Sequence, residues 1–293
     1  MYKLKYLFVI LLLPVLLVSC KGQDAAQTDA GKVQVAAHRG DWRHYADNAI
    51  EGIESCIRMG VDIVEIDVAR TKDGQLILMH DKKVDRTTNG KGRVDSLTLV
   101  EIRGFNLKNG LGRTSGFKVP TLEEAMLTAK GKITVNLDKA DEYFEDVYRV
   151  LVKTGTVEQA IIKSDKPYSE LKARYGSNLD KMVFMPVVNL GDTLHVARLD
   201  SLLDRKYPFY EIVFKEENRE LLSHIGEKLS GSGSVIWINS LWDSLCAGYS
   251  DDKALQDADA TWGYLIDSLG AGILQTDRPA LMLDYLKKRR LHD

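Results

Sequence analysis

Asp62-Ile63-Val64-Glu65-Ile66-Asp67-Val68 reads as a β-strand that carries two carboxylates on one face and Val64, Ile66 and Val68 on the other. Side chains alternate across a strand, so Glu65 and Asp67 point the same way. Paired carboxylates that are buried need a cation or a raised pKa, and two oxygens on one face suit a hard cation. The strand before it, Gln34–His38, ends in His38-Arg39-Gly40, and the strand after it, Gln75–His80, ends in His80-Asp81. Two histidines beside a bound cation match the needs of phosphoryl-transfer chemistry, one taking a proton and one giving it. A divalent ion there neutralises charge on the phosphate.

The rest of the chain alternates short β-branched runs with helical patterns, which predicts an α/β fold with a largely parallel sheet. The strand candidates are Gln34–His38, Asp62–Val68, Gln75–His80, Ile133–Leu137, Ala160–Lys163, Met182–Val188, Glu211–Phe214, Val235–Ile238 and Gly272–Gln275. Helical patterns cover Asn48–Met59, Leu122–Ala129, Glu142–Leu151, Tyr168–Tyr175, Val196–Asp204, Arg219–Leu229 and Pro279–Arg290. Thr121 and Glu124 form a capping box in front of Leu122–Ala129. The ordered body has the size of a (β/α)8 barrel, yet nine candidates exceed eight strands. The short Asp73-Gly74 turn between the second and third candidates reads as a hairpin. A distorted barrel is expected, with one candidate outside it. Residues 82–120 hold turn signals (Asn89-Gly90, Asn109-Gly110) and one helical run near Leu97–Arg103, the pattern of a small insertion over the barrel mouth.

Of the 293 residues, the first twenty stand apart. Lys3 and Lys5 precede an apolar run from Leu7 to Val18 and then Leu17-Val18-Ser19-Cys20. This is the layout of a secretory signal, and its end resembles the bacterial lipoprotein lipobox, which implies cleavage before Cys20 and its acylation. The apolar run is short for a bilayer span. Residues 21–32 are polar and aperiodic, a flexible tether, and 33–293 form the barrel. The expectation is an exported lipoprotein of the cell envelope, held to the membrane through a lipid anchor. Net charge is −2, with acids and bases interspersed, so nucleic-acid binding has no electrostatic footprint. Cys56 lies in an apolar helical pattern and is expected to be a buried free thiol. Its spacing from Cys246 rules out a zinc site built on cysteines. His44, His195, His224 and His292 have no partners in pattern and are expected at the surface.

The chain resembles the glycerophosphodiester phosphodiesterase family on a series of stretches in order. They are Ala37-His38-Arg39-Gly40, Val64-Glu65-Ile66-Asp67-Val68, Thr71-Lys72-Asp73-Gly74, His80-Asp81 and Asp85-Arg86-Thr87-Thr88-Asn89-Gly90 with Gly92-Arg93-Val94. Pro120-Thr121-Leu122-Glu123-Glu124 and Thr276-Asp277-Arg278-Pro279 complete the series. The resemblance implies a (β/α)8 barrel with an insertion after the His80 strand. It also implies one divalent metal ion, Ca²⁺ or Mg²⁺, on Glu65, Asp67 and Asp138. His38 and His80 take the acid/base roles and Arg39 contacts the phosphate. The implied reaction is hydrolysis of a small-molecule glycerophosphodiester to an alcohol and glycerol phosphate.

The sequence departs from the family at three places. The third carboxylate is Asp138 rather than glutamate, the lysine that normally follows two residues later is the adjacent Lys139, and the acid-Asn pair is Asp47-Asn48. If the strand continues, alternation turns Lys139 away from Asp138, and Lys163 at the end of the next strand is expected to take over the phosphate contact. Lys215 closes another apolar strand as a further candidate, with snorkelling as the plainer reading. Trp237 is either core or an aromatic wall for the substrate. The segment Ser240–Tyr264, longer than usual for the family, is placed to build a different leaving-group pocket. Two other readings stay open: a phosphodiester- or metal-binding lipoprotein without turnover, and a phosphoinositide-cleaving or phospholipase-D-like barrel.

Overall fold

In the computed structural model, which describes residues 31–293, the strands close into a barrel. The signal segment, Cys20 and most of the tether lie outside the described residues. Eight strands pair in parallel: β1 (Gln34–Ala37), β2 (Ile63–Arg70), β4 (Thr134–Asp138), β5 (Ala160–Ser164), β6 (Val183–Asn189), β7 (Phe209–Val213), β8 (Val235–Asn239) and β9 (Ala271–Thr276). The order runs β1-β9-β8-β7-β6-β5-β4-β2, and the β1–β2 pairing shuts the ring. The architecture is a (β/α)8 barrel. The supernumerary candidate is β3 (Leu76–Leu78), which lies antiparallel on β2 with Val68 opposite Leu78. The turn that makes this hairpin is local: Gly74 adopts φ 80°, its N–H reaches Thr71 O at 3.0 Å, and Thr71 Oγ1 takes the N–H of Gln75 at 2.9 Å.

Helices α1 (Ile50–Met59), α3 (Leu122–Ala129), α4 (Phe144–Thr154), α5 (Tyr168–Tyr175), α8 (Arg219–Leu229) and α10 (Pro279–Lys288) follow strands or the insertion, and their apolar faces cover the barrel. The expected capping box at Thr121 and Glu124 is formed. The pattern at 196–204 is broken into two short helices, α6 (Thr193–Ala197) and α7 (Leu199–Leu203). Helix α1 starts two residues later than expected because Asn48 is left-handed, φ 59°, and its side chain is engaged elsewhere. Both Cys56 and Cys246 are buried free thiols, and burial pushes the Cys56 thiol well above its ordinary range.

The segment between β3 and α3 carries α2 (Leu99–Gly104) and its own small core of Ile77, Met79, Val84, Ile102, Leu107 and Val119, with Ala46 and Ala49. Much of the Arg86–Gly90 run serves this packing. Thr88 Oγ1 donates to Val84 O at 2.8 Å and accepts the N–H of Gly90 at 3.0 Å. A Cβ at Gly90 would meet the Phe105 ring at 2.3 Å, so only glycine fits there.

The barrel interior is divided along its axis. Ala36, Ile63, Ile161, Met185, Phe209, Val235, Trp237 and Ile273 fill the lower part. Above them, toward the strand C-termini, the inward positions become polar: His38, Glu65, Asp67, Asn136, Lys163, Glu211, Asn239 and Gln275 are all buried. Trp237 is 0% exposed and donates its indole N–H to Asn239 Oδ1 at 2.8 Å. It is core, and the expectation that it walls a substrate pocket is corrected: no face of the ring reaches solvent. Trp237→Ala should therefore cost about 3–5 kcal/mol of stability, the usual range for a buried aromatic. Denaturant unfolding checks this, and a loss below about 1 kcal/mol would contradict the core assignment.

Candidate active site

The polar end of the barrel is built around three carboxylates. Parallel register sets Glu65 beside Asn136 and Asp67 beside Asp138, so alternation turns all four inward. One carboxylate oxygen from each of Glu65, Asp67 and Asp138 lies within 4.8 Å of the others. Glu65 and Asp67 are essentially buried, at 1% and 0% exposure. Burial, and the negative charge of Asp67 next to it, push the Glu65 carboxyl up. Asp67 goes the other way: burial opposes its charge, but Lys139, Arg39 and His80 outweigh it and hold the group low. The three carboxylates form an all-oxygen donor set, which fits a hard divalent cation.

The backbone bends sharply to bring donors to this cluster. Among the described residues six non-glycine residues have positive φ, and three of them, Arg39, Asn48 and Lys139, touch Glu65 or Asp67. Each such conformation costs on the order of 1 kcal/mol or more, a pattern concentrated where function over-determines the chain. Arg39 gives its backbone N–H to Glu65 Oε2 at 3.0 Å and sets its guanidinium against Asp47 at 3.1 Å and Asp67 at 3.4 Å. Asn48 grips Asp67 twice, donating Nδ2 to Oδ2 and accepting the backbone N–H, both at 2.9 Å.

Lys139 corrects a sequence expectation. The strand ends at Asp138, and Lys139 turns left-handed (φ 59°) instead of continuing the alternation. Its side chain swings inward, with Nζ donating to Asp67 Oδ1 at 2.9 Å and to His80 O at 2.8 Å. Lys163 also lies where the cluster is, but deeper. Its Nζ sits 3.2 Å from Glu211 Oε2 and 3.6 Å from Asp138 Oδ1. Burial alone would favour the neutral amine, but Glu211, Asp138 and Glu65 outweigh it and hold Lys163 charged, well above its ordinary range. Glu211 in turn accepts from Asn239 Nδ2 at 2.9 Å, so a buried polar chain links Trp237, Asn239, Glu211, Lys163 and Asp138. Lys215 lies beyond the end of β7 and is exposed; the structure does not bring it to the cluster.

The two histidines share one arrangement. His38, 7% exposed, holds Asp277 Oδ1 at 2.7 Å through Nδ1, and His80 holds Asp81 Oδ1 at 2.7 Å through Nδ1. An ionised carboxylate is an acceptor only, so Nδ1 carries the proton and Nε2 is left to take or give one. Both carboxylates are kept ionised. Hydrogen bonds from Arg86, at 2.7 and 3.1 Å, hold Asp81 far below its ordinary range. For Asp277 burial works against the charge, but the bonds from His38 and from Trp42 Nε1 (2.7 Å) hold it low. Asp277 lies in the Thr276-Asp277-Arg278-Pro279 motif, which by itself assigns it no contact. Glu211, unassigned from sequence, shows the same alternation of acid and apolar neighbours as Glu65. Trp242, 45% exposed, stands edge-on to the His38 ring at 5.9 Å. His44, His195, His224 and His292 all have partners, but none belongs to this cluster.

The two lysines differ in what their loss would leave behind. Lys163→Met strands the buried Glu211 charge and should cost about 3–5 kcal/mol, as breaking a buried pair does. Lys139→Met removes hydrogen bonds at the partly open rim, where Arg39 and Asn48 still hold Asp67, and should cost about 1–2 kcal/mol. Urea unfolding of both variants checks the order; equal losses would contradict it.

Residues 38–220 match the glycerophosphoryl diester phosphodiesterase family, and residues 184–286 match a domain of unknown function. The glycerophosphodiester phosphodiesterase of Caldanaerobacter subterraneus subsp. tengcongensis is 35% identical over 140 residues, covering 47% of this chain and 54% of that protein. That of Bacillus subtilis is 38% identical over 104 residues, covering 32% and 36%. The matched stretch thus spans about half or less of these relatives. Among solved structures, a glycerophosphoryl diester phosphodiesterase from Parabacteroides distasonis superimposes with a TM-score of 0.70 at 22% identity, covering 90% of this chain and 89% of that one. An Oleispira antarctica phosphodiesterase, solved in complex with the product sn-glycerol-3-phosphate, gives a TM-score of 0.64 at 18% identity, covering 88% and 98%. With the family match covering more than half of its length, the chain belongs to the glycerophosphoryl diester phosphodiesterase family.

Proposed function

We propose that this protein hydrolyses glycerophosphodiesters to an alcohol and glycerol phosphate, with a divalent cation held by Glu65, Asp67 and Asp138. The observation that carries the reading is the matched pair of histidines, each fixed at Nδ1 by an ionised carboxylate and each next to the carboxylate cluster. His38 bears electrostatically on Glu65 and His80 on Asp67. The product named for the Oleispira antarctica relative supports glycerol phosphate as one product here. A hard cation, Ca²⁺ or Mg²⁺, would supply charge neutralisation of the phosphate when bound. Arg39 adds fixed positive charge beside Asp67, and Lys139 adds a mobile one between Asp67 and His80. One imidazole Nε2 takes the proton of the attacking hydroxyl and the other donates one to the leaving alkoxide. Asp277 and Asp81 stabilise the imidazolium state of each ring, which forms on the base as the hydroxyl is deprotonated and is spent on the acid as the alkoxide is protonated. Trp242, exposed on the His38 side, is the wall against which the leaving group packs. Lys163 is locked to Glu211, so its charge acts on the phosphate from beneath Asp138 rather than by direct contact.

Replacing either His38 or His80 by Ala should lower the rate on the order of 10²–10⁴-fold, with the double variant far from additive. Excess chelator should abolish turnover. Glu65→Gln should weaken cation binding, followed by calorimetry without substrate, at least by the ~10–100-fold attached to lost supporting groups. A panel of glycerophosphodiesters tests all of this. Full rates in chelator would overturn the cation's role, and full rates in both histidine variants would overturn the acid/base pair; no hydrolysis of any member of the panel would leave the binding-protein reading standing.

We further propose that the barrel is carried on an exported, lipid-anchored chain. The basic start, the apolar run and Leu17-Val18-Ser19-Cys20 support it. Cys20→Ser should abolish incorporation of labelled fatty acid and leave the unprocessed precursor; a lipid-free mature chain starting elsewhere would overturn it.

A further inference from the structure

Asp251 is buried to 1% exposure and takes no part in the carboxylate cluster. It opens α9 (Asp251–Ala254), within the long segment that follows β8. Four donors converge on it. Oδ2 accepts the backbone N–H of Asp277 at 2.7 Å and the Thr276 hydroxyl at 2.9 Å. Oδ1 accepts the Ser240 hydroxyl at 2.6 Å and the Trp262 indole N–H at 3.0 Å. Burial pushes its carboxyl up, while a fixed N–H donor on each oxygen, from Asp277 and from Trp262, calls for a group that accepts on both sides.

What Asp251 grips is the mount of His38. The backbone N–H of His38 donates to Thr276 O at 3.1 Å, and its Nδ1 donates to Asp277 Oδ1 at 2.7 Å. Both the backbone and the ring of the histidine are therefore tied to residues 276–277, and Asp251 ties those residues to the segment after β8. The same segment brings Trp242 against the ring. We propose that Asp251 is a positioning residue that holds the His38–Asp277 pair in register with the carboxylate cluster, rather than a residue that merely stabilises the loop. This rests on the acid/base role read for His38 above.

The donor arrangement dictates the test. Asparagine has the shape of aspartate, but one of its two polar ends is an NH2 donor. Turned toward Oδ2's place it faces the fixed Asp277 N–H; turned toward Oδ1's place it faces the fixed Trp262 N–H. Either way two donors collide. With Trp262→Phe in addition, the NH2 can face Ser240, whose hydroxyl rotates to accept, and the oxygen can keep Thr276 and Asp277. Asp251→Asn should thus lower kcat on the order of 10–100-fold, the scale of a displaced reacting group, with KM little changed. Asp251→Asn/Trp262→Phe should regain at least about tenfold of that loss, in the scale of the same effect. In proton NMR, the downfield Nδ1–H signal of His38, assigned by its loss in His38→Gln, should vanish in Asp251→Asn and return in the double variant. The corresponding signal of the His80–Asp81 pair should persist throughout as the mark of an intact fold. A His38 signal and kcat unchanged in Asp251→Asn would overturn the proposal, and so would a folded double variant that lacks the signal. Should Asp251→Asn not fold, the double variant alone decides. Should the parent hydrolyse no glycerophosphodiester, the functional reading fails while the NMR comparison still judges the positioning.

Discussion

Two carboxylates forced into the interior by one strand's alternation set the terms for everything at the mouth of this barrel. Glu65 and Asp67 cannot turn outward without carrying Val64, Ile66 and Val68 inward, and those are held in the helix-covered core. Buried like charges a few ångströms apart are costly unless compensated. The protein compensates with charge that arrives by unusual routes: Arg39 and Lys139 through left-handed backbone, Lys163 from beneath, and Asn48 with a double hydrogen bond. Burial and the charge of Asp67 still push the Glu65 carboxyl up, and a cation shared by the three carboxylates is the compensation we propose for it.

The barrel's division into an apolar base and a polar crown has a mechanical consequence. Trp237 and its neighbours form the floor, and hydrogen bonds run from it through Asn239 and Glu211 to Lys163, which stands in an ion pair with Asp138 at 3.6 Å. A site assembled on strand ends is better fixed than one on free loops. The loops then add what strands cannot. Arg86 comes from the insertion to hold Asp81, and Trp242 comes from the segment after β8 to face His38. Each histidine is thereby supported from a different part of the chain.

Placement of the two histidines, the three carboxylates and Arg39 was legible in the residues, because each lies within a strand or a residue or two beyond one, and strand periodicity is a local property. The hairpin of β2 and β3 was also signalled locally by Asp73-Gly74, although which candidate stood outside the barrel required knowing which edges close. Lys139 was misjudged because alternation holds only while the strand lasts. Beyond its end at Asp138 the lysine reaches Asp67 and His80, contacts 72 and 59 positions away in the chain. Trp237 was ambiguous for a related reason: an inward aromatic is floor or wall depending on its height in the barrel.

Closure of the barrel rested on its size and the family resemblance, while periodicity and turn chemistry carried the alternation of strands and helices and the identity of the groups at the mouth. Those are short-range matters of which face a side chain takes and where a strand stops. The folded chain alone settles which carboxylate serves which histidine and which lysine reaches the rim. It also settles that Asp251 anchors residues 276–277, 26 positions away from Asp277. Such assignments depend on distances between elements remote in sequence. In a closed barrel the last strand lies against the first, so no local pattern records that His38 and Asp277, 239 positions apart, are joined by a hydrogen bond.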